Sequence, residues 1–542
     1  MKKVIYSILA LVLMGTMTTS CSDLLELESK TSITNSWLYE TPEGLSRAVV
    51  GLYDMDRKIA ENPSEGADIY AVQMFDYCTD LLVFRSGTNA AMARLTYNPS
   101  QGIFNSFWTH YYNVIGKANE VIAAAEKMDL TDPTTLRAWG EAKFFRGRSY
   151  FELWKRFERL YLNVEATTTD NLQREFVPAS TEDIFTVIRG DLDDAVEALD
   201  WAQPEGAAGT EHGRVTKGTA MHVRAQVAMW DKDWDTAITL CEEVIGATAF
   251  HKLEDKPEDA FLKSADLRSK EFLWTYQFSL NPGGGGNTST PPIAHRYQLV
   301  TLAAYHGLGA YFEMSAEYGG YGWGRCYPNS YLMKMFDQKK DSRYTKLMRT
   351  EWIINKTGHA NYGQVYDMTQ SKGKAEYMTN LHPMTLKFYD CWSNAGQPDL
   401  KTSYKDLPIY RLGETVLMCA EAYMERDGEG STRALELYNM TWERAGNAKR
   451  IEPLTMDELL NEYARECYFE GVRWPLLKRR GILAERVKLH GGDTKADDPY
   501  LNADYAHPRE LFIEGKHEVW PIPQAQIDLM GAENFPQHDA WL

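Results

Sequence analysis

Past residue 17 the chain has no run of 18 or more consecutive apolar residues, which argues against a membrane-spanning helix anywhere after its start. Cysteine is scarce. Seven are scattered along the chain, at Cys21, Cys78, Cys241, Cys326, Cys391, Cys419 and Cys467. That number and spacing suit neither a disulfide framework nor a zinc site. Positive charge is in the minority: 58 Lys and Arg face 76 Asp and Glu, a net charge of −18. A surface of that sign repels phosphate backbones, so no nucleic-acid partner is expected. Walker, dinucleotide-binding, HExxH, CxxC and GxSxG motifs are all missing. The run Gly283–Gly286 lacks the Lys-Ser/Thr of a phosphate cradle and reads as a loop. What remains is a 542-residue chain, 44% hydrophobic and 25% charged, which is ordinary globular composition. A core of that size needs no metal or disulfide staple.

The start reads as an address. Lys2 and Lys3 precede a mostly apolar stretch from Val4 to Met17, then small residues and Cys21. The stretch is too short to span a bilayer, so residues 1–20 read as a secretory signal peptide. Thr18-Thr19-Ser20-Cys21 looks like a bacterial lipobox, with Thr18 where Leu is usual. Cys21 is then the acylated first residue of the mature chain. Several acyl chains anchor a protein stably where one is marginal. Residues 21–40 read as a tether.

Two helical regions flank a different middle. Thr41-Pro42 before Leu45, Val49 and Leu52 is a cap, a first-turn proline and a 3.6-residue stripe. Stripes follow over residues 103–128 and 134–160, and Ser180–Asp183 opens a helix to Leu199. A helix pair turning at Asp231–Asp233 returns near the end as a pair turning at Asp427–Gly430. Small alanines at the crossings resemble tetratricopeptide units. The pattern predicts a mainly α fold: a helical-repeat scaffold over 41–250, a loop-rich lobe over 251–405, and a C-terminal helical pair with an extended tail over 406–542. Ten glycines in residues 281–324 and nine aromatics in residues 297–331 mark the middle as aromatic-bearing loop.

Candidate chemistry is thin. Asp231, Asp233, Asp235 and Glu242 have calcium-loop spacing, but Thr236 stands where that loop needs glycine. Asp76 and Asp80 are four apart, but pairing of catalytic carboxylates is a matter of distance in space. Both read by default as solvated or structural acids. His306, His359 and His382 show no metal spacing. Glu470-Gly471-Val472-Arg473-Trp474 reads as a helix end with Arg and Trp turned inward to lock the fold. No catalytic residue, metal or cofactor is expected.

Five stretches together resemble SusD/RagB outer-membrane lipoproteins. They are Cys21–Leu25 with Lys30-Thr31-Ser32; Thr41–Tyr53; Trp108–Asn119; Tyr410–Ala422 with Arg444-Ala445-Gly446; and Glu466–Trp474 with Ile522-Pro523 and Asn534–Gln537. Glu462, Arg465 and Pro475 depart from that family's usual run. The resemblance implies a lipid-anchored protein on the outer leaflet of the outer membrane. It implies a lid on a SusC-type TonB-dependent transporter, capturing oligosaccharide without cleaving it. Sugar rings present apolar C–H faces to aromatic rings and hydroxyls to polar partners. By segment, the resemblance puts ligand contacts at Phe84, Arg85, Tyr97, Asn98, Gln101, Tyr305, Tyr318, Tyr321 and Trp323. Oligopeptide binding, glycoside hydrolysis and a docking scaffold without small ligand stay open as alternatives.

Overall fold

The computed structural model describes residues 35–61, 77–84, 90–171, 175–206, 209–279, 294–367, 380–393, 395–497 and 508–542. Cys21, Asp76, Arg85 and Gly283–Gly286 lie outside the described residues.

Local signals set the first helices. In α1 (Pro42–Arg57) the Thr41 hydroxyl accepts the Gly44 N–H and Pro42 occupies the first turn. The helices α2 (Gly102–Ala125) and α3 (Pro133–Phe157) pack against α1 and each other. Ser180 caps α4 (Thr181–Ala198), which lies along α3. The pair α5 (Lys217–Asp231) and α6 (Trp234–Gly246) turns at Lys232, at a left-handed φ of 58°. Asp233 is spent as the cap of α6, accepting from Thr236. Asp235 pairs with Arg426, and Glu242 with Arg433, so the calcium-like spacing is an interhelical seam. Residues 35–40, read as part of the tether, instead form a short helix docked on α2. Tyr39 gives its hydroxyl proton to Glu120 there, and Leu38 packs on the core.

The repeat is interrupted in sequence but continuous in space. α6 packs directly on α8 (Leu412–Asp427), which turns into α9 (Thr432–Arg444) and meets α10 (Met456–Cys467). The intervening residues leave and return as two antiparallel strands. They are β2 (Phe272–Tyr276) and β4 (Leu407–Arg411), with Phe272 opposite Arg411. Arg411 is 1% exposed and anchors this closure. Its guanidinium donates to Glu271, Glu466 and Glu470, while Arg444 bridges Glu271 and Glu466. Each buried charge is thereby paired, which burial requires.

One apolar core runs through the helices, both closing strands and the tail. A second core, built on Leu302, Tyr305, Phe312, Tyr318 and Trp352, lies wholly inside the insertion. Over residues 352–366 it is covered by irregular chain with an isolated Ile353–Val365 bridge. Arg473 and Trp474 are buried as the motif predicts, but they open the helix α11 (Arg473–Arg479) rather than end one, because the preceding helix stops at Cys467 and a turn intervenes. The tail crosses the helices as a strap, with the Trp520 N–H donating to the Arg156 carbonyl. Among the described residues the six cysteines are free thiols, and no helix is long and apolar enough to cross a membrane.

Candidate functional site

The glycine-rich segment 319–325 is a loop with a fixed seat. Three of its backbone N–H groups donate to α7 (Tyr297–Thr301) and its C-cap: Trp323 to Leu299, Gly324 to Leu302 and Arg325 to Val300, at 2.7–2.9 Å. Gly322 approaches so closely that a Cβ there would lie 2.4 Å from the Ala303 carbonyl oxygen. Gly319, Gly320 and Gly324 all have positive φ, which side chains other than glycine's resist.

Two rings stand on this loop. Tyr321 is half-buried, with the His306 ring 4.5 Å away and the Lys401 Nζ 4.8 Å from its centroid. Trp323 is half-buried against the main core, with Arg325 and Arg296 at 4.5 Å and 5.7 Å from its centroid. His306 also meets the Gly322 carbonyl through Nε2, at 3.1 Å. The arrangement combines partly solvated aromatic surface with clustered N–H donors. That combination suits a ligand with apolar C–H faces and hydroxyl edges.

The other expected residues sit differently. Tyr305 is fully buried, stacked on Trp352 at 5.4 Å, its hydroxyl donating to Gly320 and accepting from Ser315. Burial pushes its phenol up to about 12. Tyr318 is 8% exposed and donates its hydroxyl proton to the Ile353 carbonyl. Arg349 lies 4.8 Å above the Tyr318 ring, and burial lowers the affinity of that guanidinium for its proton. Tyr305 and Tyr318 are therefore the foundation of the 319–325 loop. They offer no face to a ligand, contrary to the sequence-based expectation, because the insertion is large enough to need its own core and these rings fill it.

Phe84 is also buried, stacked on Tyr77 at 4.0 Å. Its strand, β1 (Leu82–Phe84), pairs antiparallel with β3 (Cys326–Pro328), Phe84 opposite Cys326. The pairing ties the segment before α2 to the end of the Trp323 loop, so two distant expected segments do meet. Tyr97 is 5% exposed and packs against Phe104, His517 and Trp541 beneath the tail. Asn98 is exposed and closes a turn by accepting the Ser100 N–H. Gln101 is half-buried just before α2.

Sequence reasoning missed Arg296, Arg325 and Lys401. Arg325 adjoins Trp323 and was open to view, whereas Lys401 is brought to Tyr321 across 80 residues by the fold alone. Asp80 is no catalytic candidate. It is fully buried and pairs through both carboxylate oxygens with Arg473, at 2.8 and 2.6 Å. Among the described residues no group of three or more His, Cys, Asp or Glu is placed to hold a metal ion.

Comparison with known proteins gives two family-model matches. The SusD family model matches residues 270–541, and a model described as starch-binding associating with outer membrane matches residues 24–221. SusD-like protein P25 of Formosa agariphila is 21% identical over 496 residues, spanning 84% of this chain and 88% of its own. The starch-binding protein SusD of Bacteroides thetaiotaomicron is 34% identical over 155 residues, 28% of this chain and 25% of its own. A solved laminarin-binding SusD-like protein superposes with a TM-score of 0.69 at 20% identity, over 90% of this chain and 97% of its own. By fold and by the C-terminal half of its sequence, the chain belongs to the SusD family.

Proposed function

We propose that the protein is a surface glycan-binding lipoprotein that captures oligosaccharide and passes it, uncleaved, to a SusC-type TonB-dependent transporter. In this reading Cys21 carries the acyl anchor, the protein sits on the outer face of the outer membrane, and the Tyr321–Trp323 loop is its ligand face. Support comes from the matched family description, which names starch binding and association with the outer membrane. It comes also from relatives named for binding starch and laminarin.

The observation that carries the reading is the geometry of Tyr321 and Trp323. Both rings keep part of their surface in solvent on a loop pinned by three consecutive backbone hydrogen bonds. A pinned ring loses little entropy when a sugar stacks on it, so more of the contact energy becomes affinity. Arg325 and Lys401 place N–H donors beside the rings for hydroxyl oxygens.

Calorimetry against α- and β-glucan oligosaccharides and blocked peptides tests this. Tyr321→Ala and Trp323→Ala are each expected to weaken glycan binding about tenfold or more, ~1.4 kcal/mol. Binding of peptides alone, or glycan binding indifferent to both substitutions, sinks the reading. New reducing ends after incubation with polysaccharide would make the protein an enzyme instead.

A further inference from the structure

A groove of about 360 Å³ opens at the base of the insertion and shares no residue with the Tyr321–Trp323 face. It lies where the chain leaves α4, enters α5 and leaves α6, with buried Phe272 and Leu273 of β2 in its floor. One wall is aromatic: the rings of Trp201 and Phe250 are nearly parallel, 16° apart, with centroids at 6.1 Å. Phe250 leaves 40% of its surface in water.

Two polar groups in this groove are buried and short of hydrogen-bond partners. They are the Gln203 Oε1 and the His251 ring, of whose two nitrogens the Lys270 backbone reaches at most one. His251 is 6% exposed. Burial lowers its pKa to about 4, with the Lys270 backbone acting the other way, so at neutral pH the ring is an uncharged donor and acceptor. Space for it is made by Gly218 at the start of α5, where a Cβ would lie 2.4 Å from the imidazole Nε2. An unpaired buried polar group costs about 1–3 kcal/mol. A fold that keeps two of them beside an exposed ring pair is arranged for something that pairs with them.

We infer that this groove is a second saccharide site, taking one or two pyranose units with a C–H face on Trp201 and Phe250 and hydroxyls toward Gln203, His251 and Arg268. The inference rests on the carbohydrate reading above. The polar lining decides the ligand class. Arg268 and Lys270 supply cationic donors and Glu205 a carboxylate acceptor, and a purely apolar guest leaves the Gln203 Oε1 unpaired. A polyol offers donors and acceptors together. The volume lies at the small end of ligand pockets, suited to a mono- or disaccharide. A second site on the same molecule lengthens the time a polysaccharide stays bound, because rebinding at one site is intramolecular while the other holds.

Saturation-transfer NMR on the mature protein tests it. The probes are glucose, galactose, mannose, maltose, laminaribiose, cellobiose and blocked tripeptides. The proteins are wild type, Phe250→Ala, Arg268→Ala and the double variant Tyr321→Ala/Trp323→Ala. Phe250 and Arg268 are exposed, so their variants are expected to melt as wild type does. The expected result is a saccharide signal that survives in the double variant and whose Kd rises about tenfold with Phe250→Ala or Arg268→Ala. If every saccharide signal depends on Tyr321 and Trp323 and none on Phe250 or Arg268, the second site is overturned while the first stands. If only peptides bind in a Phe250-dependent way, the ligand class is overturned. A Phe250-dependent saccharide signal with none dependent on Tyr321 and Trp323 supports the groove and removes the first site.

Discussion

Arg473 illustrates how far a single side chain can reach. Its guanidinium grips Asp80, 393 residues away, and donates to the Leu460 carbonyl. Both partners are within 2% of complete burial. Removing one leaves a desolvated charge alone, which is the costly half of a buried pair. Arg473→Met is expected to lose about 3–5 kcal/mol of unfolding free energy in urea, and Arg473→Met with Asp80→Asn to lose less. A single-variant loss below about 1 kcal/mol would refute this account of the pair. The inward turn of Arg473 and Trp474 was readable from the motif Glu470–Trp474, although the two residues open α11 instead of ending a helix. The partner of Arg473 was not, because nothing in residues 77–84 says which of the chain's many arginines will arrive there.

At the level of elements the decisive piece is the 319–325 loop. Glycine density marked it as loop, since no helix or strand tolerates that many flexible residues. Aromatic density marked it as a place where rings gather. Which rings face outward was hidden. Tyr305, Tyr318, Tyr321 and Trp323 are alike in sequence, and only the second core separates foundation from display. Gly322→Ala tests the seat of the loop. Its Cβ would meet the Ala303 and Leu302 carbonyl oxygens at 2.4 and 2.5 Å, so the backbone must lift from α7. Glycan affinity is expected to fall about tenfold, with the main helical core left unchanged and little loss in Tm. Unaltered affinity would mean that the pinned geometry is irrelevant to binding.

On the scale of the whole molecule, buried ionisable groups set the response to acid. Burial lowers His110, His251 and His295 to about 4. Burial alone would raise Glu152, but the Lys155 and Arg156 charges outweigh it and hold that carboxyl at about 2. Glu466 is likewise raised by burial but held well below its usual range by Arg444, Arg411 and Arg343. In each case the unfolded chain takes up a proton that the folded chain refuses, so acidification favours unfolding. The histidines act from about pH 6.5 down to 4, and the carboxylates from about 4.5 downward. Asp406, raised to about 6 by burial, opposes them weakly between about 6 and 4. The urea midpoint is expected to fall steadily from pH 7 to pH 4. A midpoint that rises over that interval contradicts the assignment.

The chain by itself determined the class of the molecule. Stripe periodicity, caps and turn residues are local, so α1 to α6, α8 and α9 could be read from their own residues. The alternation of helical, glycine-rich and helical segments likewise announced an interrupted repeat. The tertiary structure decided what closes the interruption and what faces out. The β2–β4 pairing, the Arg411 ion network and the meeting of β1 with β3 each join residues from distant parts of the chain. Contacts of that separation carry no local pattern, because their stability comes from burial that exists only after the helices have assembled.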